Sequence, residues 1–195
     1  MGKKVYKKKS MPKTKLNLKT KAKQKKKKLI KPQTKAAAVK SKKVQPIPKG
    51  FHSVTPYLIV KGASQALDFY KKALGAKELF RMASPSGEIG HCEFKIGDSI
   101  IMMADEQIEM GAKSPESFGG SPVSLMIYVK NVDSTIEQAI AAGATLIRPV
   151  ENQFYGDRSG IIKDQFGHSW NIATHIEDVS PKELSKRAAA QFGAN

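Results

Sequence analysis

The sequence predicts an α+β domain of two paired βαβββ modules forming a cleft, preceded by a disordered lysine-rich tail. Between about Phe51 and Asp178 the apolar pattern runs strand, helix, strand, strand, strand, and then runs so again. The two halves also share residues at nearly constant offset. Val60 recurs as Val129 after 69 residues, Gly75-Ala76 as Gly143-Ala144 after 68, and Gly90, Gly97 and Ser99 as Gly160, Gly167 and Ser169 after 70. Charge is divided as sharply as pattern. Residues 1–50 hold 20 Lys and no Arg, Asp or Glu, whereas 51–195 keep 14 basic and 17 acidic residues, a balance of +20 against −3.

Each element has its own signal. The lysines of 1–43 repel one another and bury too little apolar surface to offset chain entropy, so this stretch is expected to be disordered. Val44 to Gly50 carries two prolines and a glycine and reads as a linker. That places a tail over 1–46, a domain over 47–188 with modules at about 51–106 and 121–178, and a C-terminal end over 189–195. Val54 to Val60 is rich in β-branched and aromatic residues and predicts a strand. Ser64 to Leu74 predicts a helix, with Leu67, Tyr70 and Leu74 at helical spacing and Gly75 closing it. Strands follow over 77–83, 89–96 and 99–104. In the second half a strand is expected over Ser124 to Val129. A helix then spans Ser134 to Ala142, with Ser134 and Glu137 at capping-box spacing, before strands over 145–150, 159–164 and 169–174. Ser180-Pro181, with Glu183, opens a last helix.

Composition removes several classes. Cys92 is the one cysteine, which excludes an intramolecular disulfide and a cysteine-based zinc site. No run approaches the apolar length that spans a bilayer, and no apolar run follows the basic N-terminus as a secretory signal would. Glycine-rich phosphate loops, Cys–His nucleophile pairs and zincin motifs do not occur.

The stretches Val54-Thr55-Pro56-Tyr57-Leu58-Ile59-Val60, Asp68-Phe69-Tyr70, Leu74-Gly75-Ala76 and Gly119-Gly120-Ser121-Pro122 carry a family resemblance. So do Tyr155-Gly156-Asp157-Arg158-Ser159-Gly160 and Phe166-Gly167-His168-Ser169-Trp170. Together they resemble the PhnB-like branch of the vicinal oxygen chelate superfamily, kin of glyoxalase I, bleomycin-resistance proteins and extradiol dioxygenases. In metal-dependent members, one position on the first and one on the last strand of each module supply His, Gln or Glu ligands. The resemblance puts those positions at Thr55, Ile101, Ser124 and Asn171. None is a strong ligand for a first-row divalent ion, which argues against a glyoxalase I reaction.

With Thr55 and Asn171 facing the cleft, strand alternation adds Tyr57, Ile59, Ser169 and Ala173, with Leu58, Val60, Trp170 and Ile172 towards the helices. Met126 and Tyr128 join Ser124, and Met103 joins Ile101, in an apolar pocket suited to a small, partly hydrophobic molecule. His91 and Glu93 lie two apart on one strand and share a face. They read either as an acid–base pair or metal ligands, or as a polar strand face. Tyr155 and Arg158 belong to a loop that either binds ligand or is pinned by an Asp157–Arg158 pair. Trp170 is expected in the core and His168 in a structural role, and His175 has no evident partner.

The reading is a small-molecule-binding protein, with residues 1–43 engaging nucleic acid or another polyanion through counterion release. No cofactor is predicted. A homodimer and a cytoplasmic location are expected, with nucleoid association through the tail. Two alternatives stand beside it. One is a lyase or dioxygenase holding a divalent metal with nonstandard ligands such as His91 and Glu93. The other is a non-catalytic drug-sequestering protein.

Overall fold

The computed structural model describes residues 44–193. The lysine-rich tail of 1–43 lies outside the described residues. The first module comprises β1 (Tyr57–Val60), α1 (Ala63–Leu74), β2 (Lys77–Ala83), β3 (Ile89–Ile96) and β4 (Ser99–Asp105). Its strands form one sheet in the order β1-β4-β3-β2. A 3-10 turn (Ile108–Met110) and the short helix α2 (Pro115–Phe118) lead to the second module. There β5 (Ser124–Tyr128), α3 (Val132–Ala141), β6 (Thr145–Asn152), β7 (Asp157–Lys163) and β8 (Ser169–His175) form a sheet in the order β5-β8-β7-β6. In each sheet the first strand runs parallel to the last, and the remaining pairs are antiparallel.

The two predicted modules are therefore present, with differences at their ends. β1 starts at Tyr57 because Pro56 has no N–H to donate, although its carbonyl accepts from Met102 N at 2.9 Å. α1 starts one residue before the expected Ser64. Asp105, at the end of β4, accepts from the Gly62 and Ala63 N–H groups at 2.9 and 2.7 Å and so caps the helix from another strand. In the second module Thr174 does the same work, accepting from Val132 N at 2.9 Å. α3 consequently begins at Val132, with Asn131 as its local cap accepting from Ser134 N at 3.1 Å. Ser134 is already the third helical residue, so the expected Ser134–Glu137 capping box does not form. The 3-10 turn and α2 were not expected from the sequence. α4 (Pro181–Phe192) begins as predicted, Ser180 Oγ accepting from Glu183 N at 3.3 Å, and runs through the boundary placed at 188.

One core serves both modules. Leu58, Val60, Leu67, Tyr70, Phe94 and Met103 from the first join Val132, Ile136, Ile162, Trp170 and Ile172 from the second. α1 packs on α3, and each helix covers its own module's sheet. Gly160 permits close packing at one point, because a Cβ there would stand 2.7 Å from Ile136 Cδ1. Trp170 is fully buried, as expected.

Asp164, in the β7–β8 turn and 4% exposed, binds the modules together. Its Oδ1 accepts from the Phe166 and His168 N–H groups, both at 2.9 Å, and shapes the turn. Its Oδ2 accepts from Trp170 Nε1 at 2.9 Å and from Tyr70 Oη, on the first module's helix, at 2.8 Å. Burial and the neighbouring carboxylate push the Tyr70 phenol well above its ordinary range, so it stays a donor. Replacing Asp164 by Asn converts an oxygen acceptor into an amide group facing donors. The expected loss in urea unfolding is about 3 kcal/mol, and about 1 kcal/mol for Tyr70→Phe, which leaves the turn intact.

Candidate functional site

Every strand has a face towards the helices and an open face. On the first sheet, register sets two rows across the open face. One row is Tyr57, Met102, Glu93 and Phe80; the next is Ile59, Ala104, His91 and Met82. Within these two rows the acidic and imidazole groups are flanked by apolar and aromatic side chains, and Lys95, paired with Lys77, extends the same face one row further. Tyr57, Phe80 and Met82 are 48, 49 and 56% exposed on it, unusual for large apolar side chains gathered in one place.

Three side chains of this face are linked. Tyr57 Oη lies 3.0 Å from His91 Nδ1, and His91 Nε2 lies 3.4 Å from Glu93 Oε1. The Tyr57 and His91 rings are tilted at 5.7 Å, and Phe80 stands 6.2 Å from the imidazole. Burial, and then the Cys92 thiol behind the strand, raise the Tyr57 phenol above its usual value. Cys92 itself is buried and pushed up to about 11, which makes it an inert core thiol.

On the second sheet the face away from the helices carries Met126, Asn171, Ile161 and Arg148 in one row and Tyr128, Ala173, Ser159 and Glu151 in the next, with Ala173 and Ser159 buried. Ser124 and Ser169 form a further pair, and Asn171 Nδ2 donates to Ser124 Oγ at 2.9 Å. Where the modules meet, a groove of about 430 Å³ is bordered by Ile100, Ile101, Leu125, Met126, Tyr128 and Trp170.

Several sequence-predicted positions fall elsewhere. Ile101 and Met103 pair with Phe94 and Cys92 on the helix-facing side and are 4 and 0% exposed, so they are core residues. Ile101 still borders the seam groove. The reason is a difference in turn length. Ile96 pairs with Ser99, whereas Lys163 pairs with Ser169, so aligning the halves on Gly97 and Gly167 slips the last strand by one residue. A one-residue slip reverses every side chain. Register makes Met102, not Ile101, the counterpart of Asn171, since Tyr57 pairs with Met102 as Met126 pairs with Asn171. Arg158 also leaves the cleft. Its guanidinium donates to Asp133, at the start of α3, at 2.9 Å from Nε and 2.6 Å from Nη2, and holds that carboxyl below its usual range. The predicted Asp157–Arg158 pair is absent. Tyr155 packs edge-on against Phe154 at 5.3 Å, and Thr55 precedes β1 with its hydroxyl donating to His52 O at 3.3 Å.

The metal-ligand positions implied by the fold can now be tested on their chemistry. With the register corrected they read Thr55, Met102, Ser124 and Asn171: two hydroxyls, a thioether and an amide. Such a set does not fit a divalent zinc, nickel, iron or manganese ion, which binds through imidazole, thiolate or carboxylate. Among the described residues no three His, Cys, Asp or Glu side chains are grouped to hold a metal ion.

His175, which showed no partner in the sequence, has two. Nδ1 lies 2.7 Å from Asp157 Oδ1 and Nε2 3.0 Å from Asp178 Oδ1. Tyr128 Oη donates to the other oxygen of the buried Asp157 at 2.9 Å. Asp157 pairs directly with His175 across β7 and β8, a register that spacing alone could not supply. Hydrogen bonds to Asp157 and then Asp178 raise the His175 pKa. Its contribution to stability is therefore complete below the unfolded value of about 6.5 and disappears as pH rises through the folded one. The thermal midpoint of the native chain should exceed that of His175→Gln most at about pH 5 and least at about pH 9, in matched calorimetric scans.

This architecture agrees with comparison to known proteins. Uncharacterized protein Rv0887c of Mycobacterium tuberculosis is 37% identical over 142 residues, covering 71% of this chain and 84% of that protein. Uncharacterized protein Mb0911c of Mycobacterium bovis matches at the same 37%, over 93% of its length. An Arabidopsis thaliana gene product of known structure is 25% identical with a TM-score of 0.52, covering 63% of this chain and 98% of its own. TioX from Micromonospora sp. ML1 shares the fold at 23% identity and a TM-score of 0.51, again covering 63% and 98%. Residues 50–172 match the Glyoxalase/Bleomycin resistance protein/Dioxygenase superfamily, and with its paired βαβββ modules the chain belongs to that superfamily.

Proposed function

We propose that this protein is a metal-independent small-molecule-binding member of its superfamily, acting as a cytoplasmic homodimer and tethered to a polyanion by its tail. The observation that carries the ligand reading is the open face of the first sheet. There exposed Tyr57, Phe80 and Met82 surround His91 and Glu93. Apolar area with a few convergent polar groups is the composition of a small-molecule site. Met126, Tyr128, Ser169 and Asn171 offer the corresponding surface on the second module. A second copy laid over these faces would shield them from water, and a C2 dimer is the commonest soluble assembly.

The donor set at Thr55, Met102, Ser124 and Asn171 disfavours the reading as a metal-dependent lyase or dioxygenase. A drug-sequestering protein needs the same apolar face without chemistry, and the His91–Glu93 pair favours chemistry over simple retention. Native mass spectrometry of the freshly purified full chain separates the metal-dependent reading from the two metal-free ones, and turnover of a bound molecule against its simple retention separates those two. The expected result is twice the chain mass and below about 0.1 equivalent of metal, given the ligand chemistry. Stoichiometric metal lost on His91→Ala would favour the metal-dependent lyase or dioxygenase reading instead.

The 20 lysines among residues 1–50 support the polyanion reading, since no acidic residue offsets them there. Binding to duplex DNA should lack sequence preference and weaken with salt at a log–log slope of about −0.9 per phosphate neutralised. The chain lacking residues 1–46 should not bind; equal binding by both forms, measured by fluorescence anisotropy, would refute this role of the tail.

A further inference from the structure

We propose that Tyr57, His91 and Glu93 form a proton relay that acts on a flat, apolar small molecule carrying a weakly acidic C–H or O–H group. The inference rests on the reading of the first sheet's open face as the ligand site, and adds the chemistry done there.

The order of the chain follows from donor inventory. An ionised Glu93 can only accept, so the imidazole nitrogen facing it, Nε2, carries the proton. Nδ1 is then an acceptor, and the group 3.0 Å from it, Tyr57 Oη, is the donor. The phenol's proton is thus directed at a base whose cationic form a carboxylate would stabilise. That is the logic of a carboxylate–imidazole–hydroxyl triad with a phenol as the terminal oxygen. The raised Tyr57 pKa keeps the phenol protonated until a ligand proton is exchanged for its own.

Placement supports action on a ligand over a purely structural role. The three groups come from two strands that are not neighbours in the sheet, β1 for Tyr57 and β3 for His91 and Glu93, with Met102 of β4 between them. His91 and Glu93 side chains are 20 and 24% exposed, so they are reachable yet partly desolvated. Phe80 and Met82 stand directly opposite Glu93 and His91 on β2 and give a planar ligand an apolar bed. Among the described residues His91 and Glu93 serve no cap and no turn, and the sheet's own hydrogen bonds hold β3 without them.

The step conserves atoms and charge. Tyr57 Oη takes the ligand's proton as its own passes to His91 Nδ1, and the resulting imidazolium is paired with Glu93. The ligand keeps the electron pair. Reversal on His91 returns the proton to Tyr57 while the ligand's proton leaves to water or to another position on the ligand. No oxidant, reductant or metal enters.

A suitable probe is 5-nitrobenzisoxazole, a flat carbon acid. Loss of its C3 proton forms the third bond of a nitrile as the ring N–O bond breaks, and the electron pair leaves on a coloured phenolate. The full-length chain should open this ring on the order of 100-fold faster than free imidazole and acetate at equal concentration. Tyr57→Phe and His91→Gln should each lose at least about tenfold, and Glu93→Gln should lower the rate and move the midpoint of its pH profile downwards. Tyr57→Phe and Glu93→Gln preserve shape, so an unchanged thermal midpoint would tie their losses to proton transfer. Probe seating is read separately, from NMR shifts of the Tyr57, Phe80 and Met82 side chains. Seating with a rate no better than free imidazole would overturn the relay and leave the ligand face standing. No shift at saturating probe would overturn both.

Discussion

The fold depends on one buried carboxylate. Asp164 sits where the β7–β8 turn meets α1, and its two oxygens are divided between local and distant work. Oδ1 sets the turn through two backbone N–H groups, while Oδ2 receives the Trp170 indole and the Tyr70 phenol. A carboxylate buried at 4% exposure is tolerable only when its lone pairs are filled, and four donors fill them. Because Tyr70 belongs to the first module and Trp170 to the second, satisfying this charge requires the modules to be docked. Their stacked and tilted rings, with Phe94 5.2 Å and Trp170 5.4 Å from Tyr70, then exclude water from the same point. Apolar burial supplies the driving force, and the carboxylate selects one docking geometry.

The two modules solve the same problem with different residues. Each must bring the start of its helix to the end of its last strand. Asp105 does so in the first module and Thr174 in the second, 69 residues later, the same offset that relates Tyr57 to Met126 and Met102 to Asn171. A charged cap and a hydroxyl cap are both adequate at a helix N-terminus. Conservation of the geometry without conservation of the residue explains why the repeat is fainter in the letters than in the structure.

The fold was legible because its signals are local. Periodicity, Gly75 and Gly143, and the Ser180-Pro181 start are each read within a few residues of the feature they cause. The faces of β1, β5 and β8 followed from alternation once one residue of each was placed. β4 failed because Gly97 and Gly167 look equivalent but close turns of different length, and that length is fixed by pairing partners distant in sequence. The partners of Arg158 and His175 were hidden for the same reason. Asp133 lies 25 residues from Arg158, and Asp157 lies 18 from His175 across a strand pair. His91 and Glu93 could be assigned to one face from spacing of two, yet Tyr57 as their neighbour required the sheet order β1-β4-β3.

The register at β4 also bears on what the first face can recognise. Met102 occupies the position between Tyr57 and Glu93, where a metal-binding relative would place a ligand. A thioether there contributes no charge and no strong hydrogen bond. In the two rows of this face the one formal charge is Glu93, beside an imidazole that is neutral when it accepts from Tyr57. An anionic ligand would meet repulsion from that carboxylate in a partly desolvated setting, where it is weakly screened. A neutral ligand with an exchangeable proton meets none, and its apolar body matches Phe80 and Met82. Within these two rows the charge is therefore opposite in sign to the +20 of residues 1–50.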